Sequence, residues 1–352
     1  MSKKTTIFDI AKAAGVSVST VSRILNDKPD VAEATRLRVL QVIEEQNFAP
    51  HITWRQLGSG RSQFIALHFP QDFNPPSQEI ITSAAQGCEE AGYSLNLLVG
   101  AMTDAEFLAL FQRGQTDGII LMEILTHDWR VDLLRAQERP FVMVGRCVDS
   151  TGLSYVDIDI GAGVADAIDH LVGLGHRHIG FVTLAATVAD KEYAYTAWAR
   201  RGYEEACRRH DLPAYVRPAG LTGASVDAVV TQLLDAEPQI TALVTPQNTC
   251  VPGILRAVQA RGLCIPADIS VVGLLEQTFA ELTAPPLTAI SFPALEMGRQ
   301  AAASLIAQLE GTATTPRQIL VRPQLHVRGS TGPARTGPLA PAPVESALEN
   351  RD

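Results

Sequence analysis

Residues 17–23, Ser-Val-Ser-Thr-Val-Ser-Arg, combine small hydroxyl side chains with one arginine. Hydroxyl groups near a helix N-terminus suit phosphate oxygens and base edges, and an arginine can make two hydrogen bonds to a guanine. On a helix, Val21 and Leu25 would face inward. The side chains that would then face outward are Ser17, Val18, Ser19, Ser22 and Arg23. The pattern favours a DNA-binding surface, and an ordinary helical hairpin with a polar outer face is the alternative.

The residues around this segment predict the elements that would position it. A preceding helix has an apolar stripe at i, i+3, i+4 and i+7, made by Ile7, Ile10, Ala11 and Ala14. Gly15 can end that helix in a left-handed conformation, and Ser17 can cap the next one. A third helix is predicted over roughly 33–46, with Val39, Val42 and Ile43 inside. Two helices across a tight glycine turn have the spacing of a helix-turn-helix unit.

A second candidate DNA-binding segment follows at residues 50–58, Pro-His-Ile-Thr-Trp-Arg-Gln-Leu-Gly. It predicts a helix of about two turns, which is too short to be stable alone in water. We expect it to form against a second copy of the chain and DNA, where Leu57 could open a minor-groove step and Arg55 could reach the groove or backbone. The alternative is a linker in which Trp54 and Leu57 pack on the next domain.

The charge distribution agrees with a basic N-terminal unit on an acidic body. Residues 1–62 carry nine basic and six acidic side chains, a balance of +3, whereas the whole chain carries -9. Such an asymmetry attracts a polyanion at one end of the molecule and repels it elsewhere. The same balance is also compatible with an ordinary solvated surface.

From about residue 63, strand-like apolar runs alternate with amphipathic helical segments. This alternation predicts parallel sheets covered by helices, and the length favours two similar lobes. Ligands bind beyond the carboxyl ends of parallel strands, so we expect a ligand between the lobes. The candidate lining residues are Phe73, Glu123, Arg146, Trp198, Gln247 and Glu276. The alternative is that each is a loop residue in water, and Trp198 could instead belong to the core.

Composition excludes several classes of protein. The chain has 352 residues, 46% of them hydrophobic and 19% charged, which fits globular domains. It begins without the apolar run of a signal peptide and contains no run long enough to span a membrane, so we expect a cytoplasmic protein. The five cysteines form no CxxC pair, and we expect them to be buried, without a disulfide or zinc framework.

Catalytic and metal sites are not expected either. The sequence lacks GxxxxGK[ST], HExxH and GxSxG, and Gly161-Ala162-Gly163 lacks the third glycine of a dinucleotide fingerprint. The pairs His176/His178 and Asp157/Asp159 offer too few ligands for a metal, and His176 is expected to cap or pack locally. We therefore predict no enzyme, no cofactor and no metal.

Several motifs in order give the chain a resemblance to a known family. Residues 6–11, 20–26, 35–36 and 47–50 resemble the headpiece of the LacI/GalR family of bacterial transcription regulators. In the body, residues 117–120, 174–179, 266–273 and 285–299 match motifs of the same family. The resemblance implies an α/β fold, with a helix-turn-helix headpiece and a two-lobed, periplasmic-binding-protein-like body of parallel sheets flanked by helices. The implied boundaries are 1–50 for the headpiece, 51–62 for the hinge helix and linker, 63–331 for the effector-binding and dimerisation domain, and 332–352 for a disordered Pro/Ala-rich tail.

The resemblance also implies which residues bind DNA. Val18 and Ser19 match the positions that set specificity, Arg23 matches a base contact, and Leu57 would insert at the centre of a palindromic operator bound by a homodimer. The residues that match sugar-phosphate contacts are Thr6, Ser17, Thr20, Ser22, Asn26 and Thr35. Trp54 departs from the family, which usually has a small residue before the arginine.

The implied effector is a small molecule, expected to be a sugar or glycoside, that controls a regulator acting as a repressor. Three of the family's sugar contacts are missing, because those positions hold Ala199, Gln247 and Leu275, and Ile160 replaces a usual Asn. The alternative is the same DNA-binding regulator without small-molecule sensing, which would be constitutive or answer to a protein partner. A periplasmic solute-binding protein would require a signal peptide and no basic headpiece.

Overall fold

The computed structural model describes residues 5–25, 30–46, 61–70, 75–185, 187–188, 191–220 and 222–337. Five of the residues singled out in the sequence lie outside these ranges, namely Asn26, Trp54, Arg55, Leu57 and Phe73. Their roles therefore stay predictions. Across the described ranges, no helix is both long enough and apolar enough to cross a membrane.

The N-terminal unit consists of three helices, α1 (Ile7–Ala14), α2 (Val18–Leu25) and α3 (Glu33–Glu45). Thr6 and Asp9 form a reciprocal capping box that begins α1. Gly15 ends α1 in the left-handed conformation, with φ at 64°, as its sequence position predicts. The tight turn that follows sets α2 across α1, which confirms the helix-turn-helix prediction.

Each helix of this unit contributes to one small core. Ile10, Val21 and Val39, one from each helix, have no exposed surface. Val21 is fully buried and Leu25 packs against this core, as the sequence predicts, although Leu25 is only half-buried. Ile24, three residues after Val21, is buried as well, because residues three apart share a helix face as do residues four apart.

The body alternates strands and helices along the chain. In order, its elements are β1 (Phe64–Phe69), α4 (Pro75–Glu90), β2 (Ser94–Val99), α5 (Asp104–Gln112), β3 (Gly118–Leu121), α6 (Trp129–Ala136), β4 (Phe141–Val144), β5 (Tyr155–Ile158), α7 (Ile160–Gly173), β6 (Ile179–Leu184), β7 (Thr187–Val188), β8 (Lys191–Glu192), α8 (Ala194–Arg209), β9 (Tyr215–Ala219), α9 (Gly223–Ala236), β10 (Ala242–Thr245), α10 (Val251–Ala260), β11 (Ser270–Leu274), α11 (Gln277–Leu282), β12 (Thr288–Ile290), α12 (Ala294–Leu309), β13 (Gln318–Val321) and β14 (Leu325–His326).

Within the described residues, the strands form two six-stranded sheets and one short hairpin. The first sheet has the order β13-β5-β4-β3-β1-β2 and is parallel throughout. The second has the order β14-β12-β11-β10-β6-β9 and is parallel except for β14, which runs antiparallel to β12. The two sheets confirm the predicted two lobes, while β14 and the β7–β8 hairpin depart from strict alternation.

The chain passes between the lobes at three places in the described ranges, after β5, after β12 and after β13. As a result α12 belongs to the first lobe, although it follows the strands of the second. Its Gly298 lies against α4 so closely that a Cβ there would overlap Ser83 and the backbone of Ile80. The interlobe cleft is therefore bounded by three crossing segments.

Residues just beyond the domain boundary predicted at residue 331 contact the second lobe. Residues 332–337 are described, and Arg335 donates hydrogen bonds to the carbonyl oxygens of Pro238, Ile240 and Asp268 at 2.7–2.9 Å. The segment lacks large apolar side chains, which suggested disorder, but the guanidinium satisfies three carbonyl groups and so ties it to the second lobe. Residues 338–352 lie outside the described part of the chain.

The expected burial of the cysteines holds for four of the five. Cys88, Cys147, Cys207 and Cys250 are buried thiols, whereas Cys264 is exposed. Cys264 lies in the loop between α10 and β11, where it has no sheet or helix to cover it.

Candidate functional site

The start of α2 presents a cluster of hydroxyl groups. The Ser17 hydroxyl accepts a hydrogen bond from the Thr20 backbone N–H at 3.1 Å, which makes it the cap of the helix. The hydroxyls of Ser19 and Thr20 each lie 2.8 Å from that of Ser17. A helix N-terminus carries a partial positive charge and unpaired N–H groups, so this cluster offers hydrogen bonds and a favourable field to a phosphate.

The exposure of the predicted DNA-binding residues varies. Thr6, Ser17, Ser19 and Arg23 are exposed, and the remaining ones are half-buried, namely Val18, Thr20, Ser22 and Thr35. Val18 packs partly against the core of the N-terminal unit. Arg23 forms an ion pair with Asp30 at 3.0 Å, and both side chains are more than half exposed, so the pair is weak and its opening costs little.

The second candidate site lies where the carboxyl ends of the two sheets meet. Leu125, which follows β3 in the first lobe, forms a backbone bridge with Tyr193, which immediately precedes α8 in the second. Arg146, which follows β4, stacks over the ring of Trp198 in α8 at 4.6 Å. The strand ends of the first lobe thus touch the second lobe, as the topology of parallel sheets predicts.

Polar side chains without partners concentrate on the second lobe's side of this cleft. In the described part of the chain, seven residues carry buried side-chain nitrogen or oxygen atoms that make no hydrogen bond. Five of them lie at the carboxyl ends of β6, β10 and β11 or at the start of α8: Thr183, Thr196, Trp198, Gln247 and Glu276. Buried polar groups are almost always paired, so this concentration indicates a place where a ligand completes the hydrogen bonding.

Gln247 and Glu276 hold adjacent places at this edge. β10 and β11 pair Thr245 with Gly273, so the residues that follow the two strands emerge side by side. Gln247 is 4% exposed and accepts a hydrogen bond from the Tyr195 hydroxyl at 2.8 Å, while its Nε2 has no partner among the described residues. Glu276 is 8% exposed, and neither of its carboxylate oxygens makes a hydrogen bond to any other described residue.

The electrostatic environment of Glu276 disfavours its charge. Burial raises the pKa of its carboxyl group, its own backbone N–H lowers it, and the Glu79 carboxylate of the first lobe raises it again. The pKa of Tyr195 is also raised, first by burial and then by the Glu123 carboxylate of the first lobe. Carboxylates of the first lobe, those of Glu79 and Glu123, therefore disfavour negative charge on these two groups of the second lobe.

The predicted ligand residue Arg146 is already paired. Its Nε donates to the Asp157 carboxylate at 2.7 Å, and its guanidinium lies between that carboxylate and Trp198. Arg146 and Trp198 line a groove of about 500 Å³ between α7 and α8. Other charged residues of the groove also pair with one another, at 2.6–2.9 Å: Arg209 with Asp169, Arg322 with Asp166, and Arg201 with Glu205.

Glu123 lies in a different, smaller pocket of about 150 Å³. Its φ of 53° is left-handed, which is uncommon for a residue with a side chain and occurs often at functional sites. From the second lobe, Tyr193 contributes to the lining of this pocket. Its lining residues are His68, Pro70, Ala101, Met102, Glu123, Leu125, Trp129, Arg130 and Tyr193.

A buried network fixes the wall of this pocket. Arg130 is 3% exposed and donates hydrogen bonds to Asp128, to His68 Nδ1 at 2.9 Å and to the carbonyl oxygen of Glu123 at 2.9 Å. Burial alone would raise the pKa of Asp128, but the hydrogen bonds and charge of Arg130, together with backbone N–H groups, hold it below its ordinary value. Burial lowers the pKa of His68 to about 4, so its ring is neutral at pH 7.

The five predicted cleft residues that the structure describes thus divide into three groups. Arg146 and Trp198 contact each other in the groove, Gln247 and Glu276 lie side by side in the second lobe, and Glu123 lines the smaller pocket; Phe73 lies outside the described residues. Sequence reasoning missed the hydroxyls of Thr183, Tyr195 and Thr196. Their signal was present, since Thr183 lies at the end of a strand and the other two begin the helix that follows the next loop.

The histidine pair His176/His178 and the aspartate pair Asp157/Asp159, which the sequence analysis considered as metal ligands, each make hydrogen bonds within the protein. His176 Nδ1 lies 2.7 Å from the Thr241 hydroxyl, and its Nε2 lies 3.0 Å from the Gly332 carbonyl oxygen. His178 bonds the Tyr215 hydroxyl, Asp157 bonds Arg146, and Asp159 caps α7. Among the described residues, no group of three or more His, Cys, Asp or Glu side chains could hold a metal ion.

Comparison with known proteins identifies the family of this chain. Residues 6–51 match the family described as bacterial regulatory proteins, lacI family, and residues 168–331 match the periplasmic binding protein-like domain. The transcriptional regulator MalR of Streptomyces coelicolor is 30% identical over 345 residues, which cover 94% of this chain and 97% of that protein. CelR of Thermobifida fusca is 30% identical over 341 residues, which cover 93% and 98%. This chain belongs to the LacI family.

Solved structures agree with that assignment. A CelR–cellobiose complex superposes with a TM-score of 0.69 at 26% identity, covering 93% of this chain and 99% of that one. A lac repressor dimer bound to operator superposes with a TM-score of 0.82 at 23% identity, covering 94% and 100%, and supports the fold. The chain is therefore a helix-turn-helix DNA-binding transcriptional regulator of the LacI family, which consists of regulators and not of enzymes.

Residues at which the chain departs from the LacI family pattern lie mainly in apolar surroundings. Ala199 has no exposed surface and Ile160 is 2% exposed, and both belong to the core that links α7 and α8 to the sheet. Leu275 packs against the second lobe's core. Arg200 and Arg201, beside Ala199, are largely exposed and pair with Glu204 and Glu205 one helical turn away, so neither supplies the missing guanidinium.

Proposed function

We propose that this LacI-family regulator is a cytoplasmic homodimeric repressor that binds a palindromic operator through its headpieces. Residues 1–50 would enter the major groove, with Val18, Ser19 and Arg23 at base edges. Thr6, Ser17, Thr20, Ser22, Asn26 and Thr35 would bind the sugar-phosphate backbone. The exposed hydroxyl cluster at the start of α2 supports this assignment.

The segment 51–62 would act as the hinge. Because so short a helix is unstable alone, it would become ordered only beside its twin on DNA, with Leu57 in the minor groove and Trp54 and Arg55 against the groove or backbone. Residues 63 onward would form the dimerisation and effector-binding domain.

We further propose that a small polar molecule with several hydroxyl groups, a sugar or glycoside, binds between the lobes and controls operator binding. The observation that carries this proposal is the concentration of unpaired buried groups around Gln247, Glu276, Thr183 and Thr196. A site that had lost its ligand would have no reason to keep them unpaired, since each costs about 1–3 kcal/mol. Glu123, Arg146, Trp198 and the undescribed Phe73 are the remaining candidate ligand contacts.

A regulator without small-molecule sensing is the second candidate, and Ala199, Leu275 and Ile160 favour it. A thermal-shift screen of the full chain with mono- and disaccharides distinguishes the two proposals. A ligand that binds the native state raises the melting temperature, so only the sugar-sensing proposal predicts a shift. The replacement Gln247→Leu should abolish the shift, and the exposed, distant Gln115→Leu should leave it unchanged. An absence of any shift would favour the second candidate.

DNA binding is tested separately. Operator sites selected from a random pool should be palindromic, and log K should fall with log salt by roughly 0.9 per phosphate neutralised. Leu57→Ala should weaken specific binding and leave non-specific binding unchanged. A flat salt response, or equal losses in both modes, would contradict the assigned interface.

A further inference from the structure

The motif Asp-Gly-Ile-Ile at residues 117–120 lies where residues 61–63 enter the first lobe. Asp117 directly precedes β3, and Phe64 begins β1, which is the neighbour of β3 in the sheet. The two strands are parallel, so both begin at the edge of the sheet opposite to the cleft. This edge is where the chain passes from the proposed hinge into the body.

The Asp117 carboxylate accepts three hydrogen bonds from the two residues that precede β1. Its Oδ1 accepts from the Ser62 backbone N–H at 2.7 Å and from the Ser62 hydroxyl at 2.9 Å, and its Oδ2 accepts from the Gln63 backbone N–H at 2.8 Å. The Asp117 backbone N–H in turn donates to the Phe64 carbonyl oxygen at 2.8 Å. Hydrogen bonds to a carboxylate are stronger than neutral ones, so these contacts, the Asp117 clamp, hold residues 62–63 firmly.

The Asp117 clamp fixes a backbone conformation that is uncommon outside such a setting. Gln63 has a φ of 59°, which is left-handed and rare for a residue with a side chain. Ser62 is 3% exposed, and its hydroxyl also accepts the Phe64 backbone N–H at 3.2 Å. Arg61 donates to the carbonyl oxygen of Leu309, the last residue of α12. The three residues before β1 are therefore bound to the start of β3 and to the end of α12.

The strands β1 and β3 connect the Asp117 clamp to the cleft. β1 leads to Pro70, which lines the smaller pocket, and β3 leads to Leu125, whose backbone bridge with Tyr193 joins the two lobes. Both strands lie inside the first sheet and are almost entirely buried, so they move with the lobe as one packed body. The direction in which the hinge leaves the body therefore follows the position of the first lobe.

We infer that Asp117 is a positioning residue for operator binding, which sets the point and the direction from which the hinge leaves the first lobe. This inference rests on the operator binding proposed above, and it adds a residue outside the headpiece and the hinge to those that determine operator affinity. Without the clamp, residues 62–63 gain conformational freedom. That freedom must be lost again when the hinge becomes ordered on DNA, which weakens specific binding.

The variant Asp117→Asn isolates the carboxylate with little change of shape. An amide has a single oxygen, so it can accept the Ser62 bonds or the Gln63 bond but not both sets. We expect the affinity for a specific operator to fall at least roughly tenfold, the effect of ordering about one more residue of backbone on binding. Non-specific affinity should stay unchanged, because it comes from the basic groups of the headpiece.

The matched control is Asp149→Asn, which removes the same charge from the first lobe. Asp149 also accepts a backbone N–H, that of Thr151 at 3.0 Å, and it pairs with Arg135 instead of the residues before β1. We expect this variant to bind the operator as the parent does. A parallel loss in Asp149→Asn would show that the charge, and not the clamp, affects binding, and would overturn the inference.

Two further variants distinguish positioning from a general loss of stability. Ser62→Ala removes only the hydroxyl bonds, so it should lower specific affinity by a smaller factor, and it supplies the test if Asp117→Asn does not fold. Leu57→Ala removes the proposed minor-groove contact. In that background Asp117→Asn should cost less than in the parent, because a hinge that no longer inserts gains little from being positioned.

Fluorescence anisotropy of the full chain measures binding to a selected palindromic operator and to a scrambled duplex of the same length, and circular dichroism checks that each variant folds. Operator affinity equal to that of the parent in Asp117→Asn and Ser62→Ala would overturn the inference. Equal losses on the two duplexes, or additive losses with Leu57→Ala, would overturn the positioning role. A parent chain that does not distinguish the two duplexes would overturn the proposed operator function, and the inference with it.

Discussion

Replacing Arg130 by methionine should remove a large part of the stability of the first lobe. The substitution keeps an unbranched apolar side chain in α6 but takes away the hydrogen bonds to Asp128 at 2.6 and 2.9 Å and those to His68 and Glu123 at 2.9 Å. Asp128 is 2% exposed, and it would keep only the backbone N–H groups of Leu125 and of residue 130. A buried ion pair that loses one partner costs about 3–5 kcal/mol, and we expect a loss of that size.

The same helix supplies the control. Arg135 pairs with Asp149 at 3.2 Å, with the two side chains 38% and 62% exposed. Arg135→Met should therefore cost no more than about 1 kcal/mol, since exposed ion pairs contribute little. Urea denaturation followed by circular dichroism measures both, and adding Asp128→Asn to Arg130→Met should recover part of the loss by removing the uncompensated charge. Equal losses below about 1 kcal/mol in both variants would refute the reasoning.

Three further predictions concern helix packing, the pH dependence of stability and the headpiece. Gly202→Ala should destabilise the protein by about 1–3 kcal/mol, because a Cβ there would overlap the backbone of Gly161 between α7 and α8. Gly173→Ala has open space around its Cβ and should stabilise the protein by about 0.5–1 kcal/mol; thermal melts measure both variants, and equal effects would contradict the packing argument. Burial lowers the pKa of His68 from 6.5 to about 4, so between these pH values the folded state binds fewer protons than the unfolded state. The free energy of unfolding should therefore fall as the pH drops from about 6.5 towards 4. The urea midpoint of His68→Gln should fall less steeply over this range, and parallel curves would show that His68 does not cause the pH dependence. Ser17→Ala should cost α2 about 1 kcal/mol of capping energy and weaken operator binding, while Gln41→Ala, at an exposed position in α3, should do neither. An unchanged operator affinity in Ser17→Ala would remove Ser17 from the interface.

The sequence predicted the elements whose signals are local. Gly15 and Ser17 gave the turn and cap of the helix-turn-helix unit, because left-handed and capping conformations depend on the residue itself. The apolar runs of β1 and β10 were found because central parallel strands are buried on both faces. The edge strands β9 and β13 carry weaker signals, since Arg217 and Pro218 interrupt β9 and β13 has only three consecutive apolar residues.

Long-range arrangements could not be predicted from spacing. Tyr195 and Gln247 are 52 residues apart, and the His68–Arg130 contact joins residues 62 apart, so no local pattern signals either pair. Glu276 was predicted to line the cleft because it follows a strand, but its lack of partners depends on what Arg146, Arg200 and Arg201 bind instead. The order of the 332–337 segment likewise depends on carbonyl groups of Pro238 and Ile240, far away in the chain.

The measurement that tests the account most directly is the linkage between the two sites. Fluorescence anisotropy gives the affinity of the full chain for a selected operator with and without an effector, and calorimetry gives the affinity for that effector with and without operator. If both ligands act on one equilibrium of the lobes and hinge, each must change the other's affinity by the same factor, and we expect a factor of roughly 5–150. An operator affinity that is the same with the cleft empty or saturated would contradict the account.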